Sequence, residues 1–444
     1  MNLQITEMRR TLALLVATTS VASAQQSNVL TPAIVAKIQA LEPKVVAWRR
    51  DIHQHPELGN REFRTAKLVA DHLRSLGIEV QEKVAHTGVV GILRGGRPGP
   101  VVLLRADMDA LPVTERVEIP FKSVAKSTYN GQDVGVMHAC GHDTHVAILM
   151  GVAEVLAGMK GELPGTIKFM FQPAEEGAPS GEEGGAELMV QQGILENPKV
   201  DVGFALHIDA TREVGHIFYT PGGMYASSDD FRMVVKGKQT HGASPWNGVD
   251  PVVASAHIIT ALQTVVSRNM EITQNPAIVT VGMIRGGVRN NIIPEQVEMI
   301  GTIRALHPDD QKKLHDRVRR IATDVASSMG ATVEIEIGKN TAYPVTFNNL
   351  ALTEAMLPAL REAGEGRVQL VKPETGAEDF SFVAQKVPGF YIALGGRPAN
   401  VPAGTAADHH TPDFFVDDSG LDVGVRALVG MTLHYMKTNP RIVP

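Results

Sequence analysis

Apolar residues recur along this chain in two rhythms, helical spacing and unbroken runs. Thr31-Pro32 supplies a capping residue with proline at the first helical position, and Ile34, Ile38, Leu41, Val45, Val46 and Trp48 continue at helical spacing towards His53. A second helix is predicted over Arg61–Leu76, stopped by Gly77, and Ile78–Val84 and Val89–Arg94 read as strands. Val101 to Leu104 is a continuous apolar run, as a strand buried on both faces requires, and it leads into Arg105-Ala106-Asp107-Met108-Asp109. Val146, Leu149, Val152, Val155 and Leu156 predict a helix over His142–Met159. Thr166–Gln172 and Val202–Leu206 are two further buried strands, separated by a short helix near Ala186–Gln192. This alternation is that of an α/β sheet covered on both faces. Ligands of such sheets bind beyond the carboxyl ends of the strands. Asp107, the Glu175-Glu176 pair and His207 all fall there.

From about Tyr219 the texture changes. Strands over Asp230–Val235, Ala277–Met283, Gln296–Arg304 and Thr332–Ile337 are interleaved with helices over Pro251–Arg268 and Pro308–Ser328. That order, βαββαβ, is the ferredoxin-like unit. Leu350–Ala363, Phe390–Leu394 and Leu421–Met436 then resume as helix, strand and helix. The expected division is an α/β domain over residues 30–215 and 341–444, interrupted by an α+β insert over 216–340. With 444 residues, 43% of them hydrophobic, the chain has material for two such cores.

A net charge of -6 and the lack of a long basic run give no electrostatic case for nucleic acid. At the N-terminus, Arg9-Arg10, an apolar run Leu12–Val21 and Ala22-Ser23-Ala24 read as an export signal over 1–24, with the mature chain starting at Gln25. The run is shorter than the roughly 20 apolar residues that span a bilayer. The expected location is therefore periplasmic or secreted, with no membrane contact after cleavage. The one cysteine, Cys140, excludes an intrachain disulfide. In an oxidising compartment a lone exposed thiol is a liability, which burial or metal ligation removes.

Cys140 stands in the densest chemistry of the chain, between His138 and His142, with Asp143 and His145 following. One residue separates Cys140 from His142, so on looped backbone both can converge on one ion, whereas on a helix they would diverge. Thiolate with imidazole favours zinc or another borderline transition metal. Two other readings stay open at this point, a nucleophilic cysteine with a histidine base and a buried structural cysteine. Glu175 and Glu176 follow a strand and Pro173, and on non-helical backbone one can bind metal while the other accepts a proton. Alone, such a pair is equally a solvated acidic loop, as Glu182-Glu183 reads. His207 by itself suits a core position, and His409-His410, after Asp408 and before Thr411-Pro412, suits a surface loop as well as a metal. His241 lies in the insert with no local link to the rest.

Four stretches together resemble a known family. Met137 to Asp143, Phe171 to Gly177, Arg105 to Leu111 and Gly376 to Ser381 are similar, in order and spacing, to motifs of the dinuclear-metal amidohydrolases. That family includes hippurate hydrolases, bacterial aminoacylases and auxin-conjugate hydrolases, and is related to carboxypeptidase G; the likeness runs from about Trp48 to the C-terminus. The resemblance implies a metallopeptidase-type catalytic domain with a mixed, mostly parallel sheet and a ferredoxin-like dimerisation or lid insert. By position it implies that Cys140 bridges two divalent ions, zinc or manganese with cobalt or nickel also admitted, and that His142, Glu176, His207 and His410 complete the shells. Glu175 would be the general base, Asp107 a support behind the ligands, and His241 an oxyanion stabiliser reaching an active site, often across a homodimer. Asn291 and Arg304 match positions that bind the substrate's carboxylate side. Two histidines, His409 and His410, stand where the family carries one, and the pattern selects His410. The expected reaction is hydrolysis of N-acyl amino acids or small peptides. A cysteine hydrolase, insensitive to chelators, and a non-catalytic exported binding protein are the rivals.

Overall fold

The computed structural model describes residues 28–442. The expected export signal and Gln25 lie outside the described residues. Helix α1 (Pro32–Gln54) opens as expected, Thr31 Oγ1 accepting the Ile34 N–H at 3.4 Å with Pro32 in the first turn. Helix α2 spans Phe63–Ser75. Three strands follow, β1 (Glu79–Val84), β2 (Gly88–Arg94) and β3 (Arg97–Asp107). Helix α3 (His142–Ala157), β4 (Pro164–Gln172), β5 (Val202–Glu213) and β6 (Ile217–Tyr219) complete the first half. The insert contributes β7 (Ser228–Lys236), α4 (Pro251–Asn269), β8 (Ala277–Gly286), β9 (Gln296–Ala305), α5 (Pro308–Ser328) and β10 (Thr332–Tyr343). The second half supplies α6 (Leu350–Ala363), β11 (Val368–Leu370), β12 (Gly389–Arg397) and α7 (Leu421–Thr438).

The large sheet runs β1-β2-β4-β3-β5-β12-β6-β11. Its centre, β4-β3-β5-β12, is parallel, and antiparallel pairs flank it. The apolar runs read from the sequence are these central strands, buried on both faces. Ile38 and Val45 of α1, Val146 and Leu149 of α3, Met356 of α6 and Val425 of α7 pack one face in a single apolar cluster. A second cluster under Met189 and Val383, on the short helices Gly185–Gln191 and Ser381–Ala384, covers the other.

The insert forms its own four-stranded antiparallel sheet, ordered β8-β9-β7-β10, with α4 and α5 on one face over Phe231, Met233, Val297 and Met299. Its sheet starts later and ends later than the expected 216–340. Ile217–Tyr219 pairs with β12 and β11, so it belongs to the large sheet, and β10 continues to Tyr343. Between the two bodies, the incoming segment Gly222–Tyr225 and the outgoing segment Thr346–Asn348 pair antiparallel. No helix among the described residues is long and apolar enough to cross a membrane.

The strand expected over Val202–Leu206 does not end at His207; β5 continues to Glu213, with β12 beside it to Asp209 and, after a register shift, at Glu213. The partner lost is β3, which pairs with β5 only as far as Ala205 and stays with β4 to its own end at Asp107. The sheet therefore splits beyond Arg105, and His207 lies on the lip of the split.

Candidate metal centre and active site

Cys140 and His142 reach this split through Gly141. Gly141 has φ 94°, a left-handed conformation that side chains resist. A Cβ placed there would also stand 2.2 Å from Ile208 Cγ2 on β5. Glycine alone lets the loop turn against β5 and start α3 at His142, so that Cys140 lines the cavity and the His142 imidazole lies buried behind Glu175 and Glu176.

Hydrogen bonds fix what each histidine presents. His207 Nδ1 donates to the Ile208 carbonyl at 2.6 Å, which leaves Nε2 with its lone pair 3.4 Å from Cys140 Sγ. His142 Nδ1 donates to Asp109 Oδ1 at 3.2 Å, leaving its buried Nε2 unpartnered. That atom faces Asp107 Oδ2, Glu175 Oε2 and Glu176 Oε1 at 3.7, 3.8 and 4.0 Å. The N–H groups of Ile208 and Ala210 lie on one edge of β5, and with β3 gone they donate to His145 Nε2 at 2.8 Å and His409 Nε2 at 3.1 Å. His145 gives its other nitrogen to Asp107. His409 turns Nδ1 towards Cys140 Sγ at 3.6 Å, and in the neutral ring that nitrogen carries a proton, not a lone pair. His410, at φ 63°, brings Nε2 to 2.9 Å from Glu176 Oε1. His138 is buried with both ring nitrogens unpartnered.

The Glu175-Glu176 loop leaves the end of β4 through Ala174, itself at φ 50°. Two peptide groups are clamped there by three hydrogen bonds, Pro173–Ala174 through its N–H and Glu175–Glu176 through both its carbonyl and its N–H. Glu62 accepts the Ala174 N–H at 2.9 Å, Tyr343 donates to the Glu175 carbonyl at 3.0 Å, and Asp109 accepts the Glu176 N–H at 3.0 Å. Glu175 and Glu176 thereby line a cavity of about 450 Å³ together with Cys140, His207, His409 and His410. A larger cleft, about 800 Å³ beside Ile34, Met159 and Leu433, contains neither the thiol nor any histidine.

Behind the cavity lies a buried ionic network. Arg105 binds Asp107 at 2.7 Å, Glu378 at 2.7 Å and Asp379 at 2.8 Å, and Tyr391 donates to Glu378. Burial alone would raise the Asp107 carboxyl, but Arg105, His142 and His145 hold it well below the usual range. A second network anchors the start of α3, where Asp143 binds Arg49 at 2.9 Å and His53 at 2.8 Å.

The pocket's own charges are one-sided. Burial, then Glu378, Glu176 and Asp379, push Glu175 far up. Burial, Glu176, Glu175 and Asp107 do the same to the Cys140 thiol, the opposite of an activated nucleophile. Burial lowers His142, yet Asp107, Asp109 and Glu176 outweigh it and hold the ring at about 10. A cation relieves all three at once. The donor groups fit two. Cys140 shares one cluster with His207, beside the proton-bearing Nδ1 of His409, and another with Glu176 and His410, and a third group joins His142 to Glu175 and Glu176. A thiol common to two donor groups suits a bridge between two ions.

The structure thus gathers Cys140, His142, Glu175, Glu176, His207 and His410 at one place, with Asp107 beneath. It does not bring His241, Asn291 or Arg304 to the cavity of the same chain. His241 is exposed in the insert, its Nδ1 accepting the Ala243 N–H, and Asn291 is its neighbour through the Gly242 N–H. Arg304 lies on β9, bonded to Thr302. Asp109, Glu62 and Tyr343 hold the site from behind, and the local sequence singles out neither Glu62 nor Tyr343. Asp109 had a signal, since it stands two residues after Asp107 in the same strand-end motif. The other two act on backbone groups far away in the chain.

The profile of peptidase family M20/M25/M40 matches residues 103–434. The chain is similar to thermostable carboxypeptidase 2 of Saccharolobus solfataricus, 40% identical over 88% of this chain and 95% of that protein. It is similar to N-acetylcysteine deacetylase of Bacillus subtilis, 35% identical over 90% of this chain and 99% of the relative. Among solved structures, the Bacillus subtilis YXEP protein, a dinuclear metal binding peptidase of the M20 family, superposes with a TM-score of 0.74 at 32% identity, covering 90% of this chain and 99% of the other. The split sheet, the shared thiol and these likenesses agree: the chain belongs to peptidase family M20/M25/M40 and is a metal-dependent amidohydrolase.

Proposed function

We propose that this chain cleaves the amide bond of N-acyl amino acids and short peptides at the Cys140 cavity, with Glu175 as general base. The observation that carries the assignment is the position of Glu175. Its buried carboxyl lies in the cavity wall, 3.8 Å from the unpartnered Nε2 of His142. Cys140, His142, Glu176, His207 and His410 would hold two divalent ions. Zinc or manganese is the first choice, and cobalt and nickel also suit thiolate, imidazole and carboxylate donors. His410 is preferred to His409 because the Ala210 N–H occupies the free lone pair of His409. Asp107 supports the centre from below, fixing the His145 ring and balancing Arg105.

The bound ions supply Lewis-acid polarisation and a water acidified to near neutrality. Around that chemistry Glu175 takes a proton from the attacking water and returns it to the leaving nitrogen. Burial, Glu378, Glu176 and Asp379 raise its proton affinity, and it takes the ionised form that a base needs only where cations offset them. The substrate class is supported by the names of two relatives, a carboxypeptidase and a deacetylase of an N-acetyl amino acid. Both kinds of substrate carry an acylated nitrogen next to a free carboxylate. Asn291 and Arg304 would bind that carboxylate and His241 the oxyanion, supplied by the insert of a second copy in a homodimer. Strand β8 is an open edge of the insert sheet with Ile278 and Ile284 exposed, which suits such pairing.

Hydrolysis of N-acetyl and N-benzoyl amino acids and dipeptides, with chelator and metal add-back, tests the reading. Glu175→Gln is expected to retain two ions per chain and to lose about 10²–10⁴-fold in kcat. Metal-replete E175Q turning over at the wild-type rate would sink the assignment.

A further inference from the structure

Tyr343 ends β10, the last strand of the insert, in register with Ser228, the first residue of β7. Its backbone belongs to the insert, since its carbonyl accepts from Gln311 of α5 at 3.4 Å. Its side chain belongs to the catalytic domain. The ring stands edge-on to Phe382 with centroids 6.0 Å apart and lines the cavity, and the hydroxyl donates to the Glu175 carbonyl at 3.0 Å. Of the three clamps on the Ala174–Glu176 loop, Glu62 and Asp109 are fixed in the catalytic domain, and Tyr343 comes from the insert. The loop needs clamping, because Ala174 is in the left-handed region that a residue with a Cβ resists.

We infer that Tyr343 is a positioning residue that sets the general base from the insert side, an inference that rests on Glu175 being that base. The chain enters and leaves the insert through the paired segments Gly222–Tyr225 and Thr346–Asn348. Tyr343 lies three residues before the second of these. Any swing of the insert about that joint carries the hydroxyl with it and loosens or tightens the Glu175 peptide. The placement of the base is thereby tied to the placement of the domain that carries His241, Asn291 and Arg304.

A double-mutant cycle of Tyr343→Phe and Glu175→Gln tests this, with metal content measured for each protein. Y343F removes one oxygen and leaves the ring against Phe382. It is expected to retain two ions and a KM within about twofold of wild type, and to lose about tenfold in kcat, the worth of one hydrogen bond. In the E175Q background the same change is expected to cost nothing further, because a glutamine takes no proton wherever it is held. A merely structural tyrosine lowers the rate by the same factor in both backgrounds, and that result overturns the inference, as does an unchanged kcat in Y343F. An active E175Q overturns instead the assignment of the base, so the two failures are distinguishable.

Discussion

Glu62 has no part in bond cleavage, yet it decides whether Ala174 can hold φ 50°. It accepts from the Asn60 and Ala174 N–H groups through one oxygen and from the Thr87 hydroxyl through the other. Burial and the nearby charge of Asp109 push its carboxyl up to about 8. A neutral Glu62 suits the same geometry, because the Thr87 oxygen can accept its proton. The folded state then keeps a proton that the unfolded chain releases near its ordinary value of about 4.3. The stabilisation is complete below that value and is lost as pH rises through about 8. Glu62→Gln retains the two N–H contacts and removes the titration. Unfolding free energy should therefore fall more steeply with pH for wild type than for E62Q between these limits, by an amount on the order of a few kcal/mol, as denaturant titrations at several pH values would read. At this scale the sequence shows ligand types well, because thiol, imidazole and carboxylate announce their chemistry. It shows supports such as Glu62 and Tyr343 poorly, because their partners are backbone groups more than a hundred residues away.

The active centre exists because one strand leaves its neighbour early. After Ala205, β5 has bare N–H groups on one edge, and His145 and His409 take the bonds that β3 would have made. Buried amides must find partners, so these rings are held by the sheet itself. Gly141 is the other condition, since it lets α3 begin against β5. Gly141→Ala should destabilise the fold by about 2–4 kcal/mol, combining the left-handed penalty with the overlap on Ile208. Denaturant unfolding of G141A and of G141A with Ile208→Ala separates the two, because only the overlap is relieved in the double variant. Helices and central strands are legible in the sequence, since each is a long apolar pattern; α6 begins and ends where the spacing places it. The three-residue strands β6 and β11 and the pair joining the two bodies are not. They carry too few residues for a period, and partners remote in the chain define them.

At the scale of the molecule, two bodies with separate cores must cooperate, and the insert residues matched to substrate binding do not line their own chain's cavity. If two copies exchange inserts, an inactive E175Q chain and an inactive His241→Ala chain complement each other. The mixed dimer has one site with both changes and one with neither, and should recover about half the turnover of a wild-type dimer. Co-purified mixed dimers, assayed beside each parent, check this; sites completed within one chain leave every mixture dead. The division into an α/β body and a βαββαβ body is visible in the order of elements. Its borders are not, because β6 looks like insert by sequence and pairs with the large sheet.

The antiparallel pair of Gly222–Tyr225 with Thr346–Asn348 also bears on how the chain finds this fold. It closes a loop of about 120 residues, and closing a flexible loop of that length costs on the order of 4 kcal/mol of chain entropy. The insert can meet that cost beforehand. Once β7 and β10 pair, Ser228 and Tyr343 lie opposite each other. The flexible chain left between the two halves is then a few residues on each side. An insert that folds first therefore acts as a cross-link, delivering β12 to β5 as though the two had been near neighbours along the chain.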